Sequence, residues 1–181
     1  MLGAMSAPEL QAFYDGWAEQ QRLLIDSLRP LTPEQMQLRP APGEWAIWQL
    51  ASNMAGGRLY WLCTMLGEDD RGLSQMFRVD HATVPGLSLE WAGWEDNEDR
   101  PRTADEVIAA FEKTWEVVEG CLDRWSLADL GVAVTKRDAF GVERAVTPGS
   151  VLWRLMSHEV HHGSEIALIL RMHGLPTAVN R

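Results

Sequence analysis

Apolar side chains recur at helical spacing in four stretches of the chain, and the gaps between them hold residues that stop helices. Leu10, Phe13, Trp17, Leu24 and Leu28 mark the first stretch, residues 7–28, on one face of a helix. Pro30 and Pro33 follow, and proline ends the helix because its φ is fixed and it has no N–H. The segment Gln37–Gly43, with Pro40 and Pro42, reads as a rigid connector. A second helical stripe runs from Glu44 to Leu66 through Trp45, Trp48, Leu50, Met54, Tyr60 and Trp61. Thr103, with Glu106 three residues on, is a capping-box pair that opens a third helix. Its stripe of Val107, Ile108, Phe111, Trp115, Val118 and Leu122 continues to Trp125. Pro148 suits the first turn of a fourth helix that runs to His173, with Gly174 as its stop and Pro176 beyond.

Two segments lack the helical period. Residues 67–102 are acidic, irregular and interrupted by glycine, and they carry Trp91 and Trp94; they read as a long connection. Residues 131–146 place valines and a threonine around Phe140-Gly141, the pattern of a short hairpin or an ordered loop. Four amphipathic helices, with one long crossover between the second and third, predict an all-α four-helix bundle. The length of 181 residues fits a single domain over residues 1–181.

Composition then narrows the partners. Sixteen Lys and Arg stand against 26 Asp and Glu, a formal charge of −10, so the clustered cations that bind phosphates are not expected and neither is a nucleic-acid partner. No apolar run approaches the roughly 18 residues of a membrane span, and the opening MLGAMSAPEL lacks the pattern of a signal peptide. A soluble, cytoplasmic protein is expected. The two cysteines, Cys63 and Cys121, are too few for a disulfide framework and sit in apolar helical patterns, where thiols act as small hydrophobes. Of the nine tryptophans, Trp45, Trp48, Trp61, Trp115 and Trp153 fall in helical patterns and are expected in the core. Trp91 and Trp94 fall outside them; pinning the crossover, lining a pocket mouth and joining a dimer interface are the open roles.

Three of the five histidines lie between residues 158 and 162. Residues four apart on a helix differ by about 40° in azimuth and their Cβ atoms lie about 5–6 Å apart. His158 and His162 can therefore converge on one metal ion. His161, rotated about 100° from His162, faces solvent or supports the pair from behind. The same run spells H-E-x-x-H, in which Glu159 would be the general base of a zinc protease. Gly163 and Glu165 do not continue any such signature, and a protease is not the expected reading. Glu165 shares the face of His162 and suits a supporting role, accepting the N–H that a ligating imidazole leaves over. Arg154, one turn before His158, is either an anchor for a substrate carboxylate or thiolate or an ordinary ion-pair partner. Gly56 and Gly57 interrupt the second helix, at about 0.8–1.0 kcal/mol each relative to alanine, for close packing or for ligand space.

The run HEVHHGSEIALILRMHG resembles the last-helix signature of the DinB/YfiT superfamily of metal-binding four-helix bundles. GEWAIWQLASNMAGGRLYWL resembles the superfamily's second helix, and Thr32-Pro33-Glu34-Gln35 the linker before it. The resemblance covers nearly the whole chain in order and spacing. It implies a divalent metal, Ni, Zn or Fe, held by three histidines, two of which are His158 and His162. The third would stand at Asn53, where this chain departs from the family. An amide oxygen is a weaker donor than imidazole for Zn²⁺ or Ni²⁺. Asn53 is then a weak ligand, a holder of a metal-bound water, or the mark of a decayed site; His81 in the crossover is another candidate donor. The resemblance further implies a homodimer and a metal-dependent thiol S-transferase or isomerase using a low-molecular-weight thiol such as mycothiol or bacillithiol; hydrolysis of a small molecule is equally open. The alternative is a non-catalytic bundle, stress-associated or binding a small molecule, with a degenerate metal site.

Overall fold

The structure, a computed structural model, describes residues 8–77, 93–138 and 141–179. Among them four helices form the bundle: α1 (Pro8–Leu28), α2 (Ile47–Leu59), α3 (Ala104–Arg124) and α4 (Pro148–Met172). A hairpin of β1 (Val134–Arg137) and β2 (Glu143–Val146) stands before α4, paired antiparallel from Val134↔Val146 to Arg137↔Glu143. The all-α bundle, the crossover between α2 and α3 and the hairpin all follow the expectation from sequence. Among the described residues no helix is long and apolar enough to cross a membrane.

The helix ends obey local chemistry. Thr103 Oγ1 accepts from the Glu106 N–H while the Glu106 carboxylate accepts from the Thr103 N–H at 3.0 Å. Thr147 and Ser150 exchange the same pair of bonds at the start of α4, with Pro148 in its first turn. Gly174, at φ +68°, closes α4 in the left-handed conformation that a side chain would disfavour. One boundary differs: α2 begins at Ile47, not Glu44, because Gln49 Oε1 accepts the Ala46 N–H at 3.0 Å and caps the helix there. Beyond Leu59 the helix widens into a π-helical segment, Tyr60–Met65.

Helix α2 is the central element, packed against both α3 and α4, while α1 lies on α3 and α4. Its buried residues Trp48, Met54, Ala55 and Leu59 share one core with Phe111, Val118 and Leu155 of the neighbours. One charged pair is buried among them. Arg58, fully buried, donates from Nε and Nη2 to the two oxygens of Glu159 at 2.7 and 2.8 Å. Its Nη1 reaches Gln21 Oε1 at 2.6 Å and the Phe111 carbonyl at 3.1 Å, and Trp17 Nε1 donates to Glu159 Oε2 at 2.8 Å. Four helices thus meet at one guanidinium. Separating the two would leave a charge buried alone, so the pair disfavours a sliding of α2 against α4.

The tryptophans divide differently from expectation. Trp48 and Trp115 are core, as are Trp17 and Trp125. Trp153 is 72% exposed and Trp45 37% exposed, and Trp61 is half-buried. For Trp153 the reason is azimuth: the buried face of α4 runs through Val151, Leu152, Leu155 and Glu159, and residue 153 falls outside that arc. Trp94 pins the crossover. It is buried, donates from Nε1 to the Met76 carbonyl at 2.8 Å, stacks on Phe77 with ring centres 4.8 Å apart, and carries Arg102 on its face at 4.3 Å. Trp91, His81 and Phe140 lie outside the described residues.

Both thiols are suppressed, as the apolar pattern suggests. Burial, with Asp70, Glu68 and Asp69 nearby, pushes the Cys63 thiol up to about 12; burial and Glu68 do the same for Cys121. At pH 8 about one thiol in ten thousand is then ionised. A colorimetric disulfide reagent at pH 8 should label neither cysteine in the native protein within minutes and both after unfolding. A fast-reacting native thiol would contradict this.

Candidate functional site

The facing turns of α2 and α4 run antiparallel. Arg154 Cζ lies 4.4 Å from the centre of the Trp61 ring, and one turn along, Gly57 approaches His158, where an added Cβ would sit 3.6 Å from the ring carbon Cε1. Each step back along α2 is a step forward along α4, so by helical register the turn of Asn53 pairs with the turn of His162. Gly57 faces His158 and Gly56 faces the Phe77 ring, where an added Cβ would sit 3.5 Å from Cδ1; both are ordinary contact distances, so space alone does not require glycine at either position.

His158 and His162 converge as their spacing requires, with ring centres 4.5 Å apart and planes at 84°. Burial, then the neighbouring His162, lowers the His158 pKa to about 4, so at neutral pH this imidazole is uncharged and its lone pair is available. His162 Nδ1 lies 2.6 Å from Glu165 Oε2. With the carboxylate accepting that N–H, Nε2 is left as the donor nitrogen. Trp45 closes one side, its ring centre 6.1 Å from that of His162. His161 is turned outward, its side chain 68% exposed, with Nε2 3.6 Å from Glu165. Among the described residues, His161, His162 and Glu165 are the three groups whose ligand atoms already lie within 4.8 Å of one another. Two of that trio, His161 and Glu165, lie on the rim, where water competes with a ligand.

Glu159 does not join the imidazoles. One residue along the helix from His158, it points into the core and is held by Arg58 and Trp17. The H-E-x-x-H spacing is therefore present without the base that a zinc protease needs beside its metal. Arg154 does share the region of His158, as the spacing implies, but among the described residues it has no carboxylate partner and lies on Trp61 instead. With Trp61, Arg144, Trp153 and Ser157 it lines a groove of about 610 Å³.

Asn53 is not idle. Its Nδ2 donates to Glu95 Oε1 at 2.7 Å. Glu95 follows the buried Trp94 in the short turn Trp94–Asp96, and Gln49 Nε2 anchors that turn by donating to the Glu95 carbonyl at 2.9 Å. Burial pushes the Glu95 carboxyl above the usual range, and its Oε2 is buried without a hydrogen-bond partner. Sequence reasoning missed both Glu95 and Arg58. Arg58 had a signal, a lone cation in the apolar register of Met54, Ala55, Leu59 and Leu62 matched by a lone acid in the register of α4. Glu95 had none, because the run WEDNED reads as solvated charge.

The donor chemistry here fits a divalent cation: a neutral imidazole, a second imidazole fixed by a carboxylate, an amide, and an orphaned carboxylate oxygen. Compared with known protein families, the chain matches the DinB superfamily over residues 17–166. No curated protein matches the sequence. Solved structures do match: a DinB-like protein from Bacillus cereus (19% identity, 92% of this chain and 94% of that one, TM-score 0.62) and a conserved protein from Enterococcus faecalis (15%, 93% and 98%, 0.67). A DinB-like protein from Bacillus subtilis also matches (14%, 91% and 96%, 0.57). At these identities the likeness carries the fold alone, and the family match carries the rest: this chain belongs to the DinB superfamily.

Proposed function

We propose that this protein binds a divalent metal between His158 and His162, beside Asn53, and uses it on a small molecule as a thiol S-transferase or hydrolase. The observation that carries the reading is the imidazole pair: edge to face at 4.5 Å, with His158 uncharged and His162 held by Glu165 at 2.6 Å. A Lewis acid bound there would ionise a thiol or a water at neutral pH. The chain's own groups divide the remaining work. Glu165 fixes the tautomer and orientation of His162. Trp45 covers one side of the His162 ring. Arg154, one turn from His158 and without a carboxylate partner among the described residues, offers a guanidinium to a carboxylate or thiolate. Trp61 and Trp153 offer aromatic faces in the same groove. The substrate favoured by this lining is a small anion with an apolar body. The competing reading, a bundle that binds small molecules without chemistry, draws on Asn53 in place of a third imidazole.

Metal content separates the two. Protein purified without chelators, and apo protein titrated with Zn²⁺, Ni²⁺, Fe²⁺ and Mn²⁺ by calorimetry, should take up one ion per chain. A site that stays empty after loading with all four defeats the metal-dependent reading.

A further inference from the structure

The missing histidine leaves this bundle one nitrogen donor short, and a carboxylate from another part of the chain stands next to the gap. Glu95 is carried to α2 by the buried Trp94 and held by Asn53 and Gln49. A buried carboxylate oxygen without a partner is costly. Among the described residues no arginine, lysine or histidine pairs with Glu95, and its one side-chain partner is the neutral amide of Asn53. That amide occupies the place of the absent imidazole, on the turn of α2 opposite His162.

We infer that Glu95 supplies the third protein donor, completing a two-histidine, one-carboxylate site with His158 and His162, and that Asn53 is the positioning residue that holds the carboxylate. The inference rests on the proposed function and changes the expected chemistry of the site. Two imidazoles and one carboxylate carry a single negative charge where three imidazoles carry none. Such a set holds Zn²⁺ in some hydrolases and Fe²⁺ in others of the two-histidine, one-carboxylate kind. It relies less on soft ligands than a three-nitrogen set and brings Mn²⁺ and Fe²⁺ within its range.

The test compares apo wild type, Glu95→Gln, Glu95→Gln with Asn53→His, and Glu165→Gln. Zn²⁺ and Mn²⁺ are titrated by calorimetry, and Co²⁺ is used as a spectroscopic probe. Glu95→Gln keeps an acceptor for Asn53 and removes the charge, so it should weaken Zn²⁺ binding by more than about a hundredfold, beyond the loss of a group that only orients a ligand, and alter the Co²⁺ visible bands. Its apo melting temperature should be equal to or above that of wild type, because no unpaired carboxylate remains buried; a purely structural Glu95 would give the opposite shift. Adding Asn53→His should restore Zn²⁺ but not Mn²⁺ affinity. Wild-type affinity in Glu95→Gln overturns the inference while leaving the proposed function standing, as does a larger loss in Glu165→Gln, which would place the ion on the rim trio. A wild type that binds no ion ends both.

Discussion

Glu159→Ala should lower the melting temperature of the apo protein by roughly 10 °C. The carboxylate it removes is the counter-ion of a fully buried guanidinium and the acceptor for a buried indole N–H. Removing one partner of such a pair costs about 3–5 kcal/mol, because the other charge stays behind without water. In a domain of this size each kcal/mol moves the midpoint by about 2–4 °C. Arg58→Ala should be as severe, since it orphans Glu159 and also releases Gln21 and the Phe111 carbonyl. The double change Arg58→Met with Glu159→Leu should recover part of the loss, because apolar groups of similar volume need no partner. Thermal unfolding followed by circular dichroism measures all three. A Glu159→Ala midpoint within about 2 °C of wild type would mean that the pair is already solvated and that the core is not organised around it.

Alanine at His158 or at His162 should each weaken Zn²⁺ binding by more than about a hundredfold, beyond the effect of losing a group that merely orients a ligand. His161→Ala should change it less than about threefold, since that ring is 68% exposed and meets only the edge of the pair, with its centre 5.0 Å from that of His162 and its Nε2 3.6 Å from Glu165. The contrast matters because the three histidines are neighbours in sequence and a metal on the rim would rank them differently. Calorimetric titration of the three apo variants reads the order directly. Equal losses at His161 and His162 with none at His158 would move the ion to the rim.

What could be read from the chain depended on how local the cause was. The capping pair Thr103/Glu106, the proline and glycine that bound α4 and the hairpin around Gly141 are decided within a few residues, and each stands where the pattern put it. The convergence of His158 and His162 is equally local, a consequence of helical pitch. Trp153 was misplaced because an aromatic ring at helical spacing says only that a face exists, and the azimuth of the neighbouring apolar residues decides which face is buried. The Arg58–Glu159 pair links residues a hundred positions apart, and only the packing of α2 on α4 brings out that the acid of H-E-x-x-H belongs to the core. Glu95 is the extreme case: it stands in an acidic run after Trp94, and its neighbour in space is an asparagine on another helix.

The short turn that holds Trp94 also holds Glu95. Docking of the crossover and presentation of that carboxylate are therefore one event, not two. A substitution that unseats the indole from Phe77 and Met76 would therefore also disturb the acid at α2. Anything that binds the carboxylate is a latch on the connection between two helices, and anything that loosens the connection is a release mechanism for what is bound. The longest link in the bundle is in that sense a part of the proposed site.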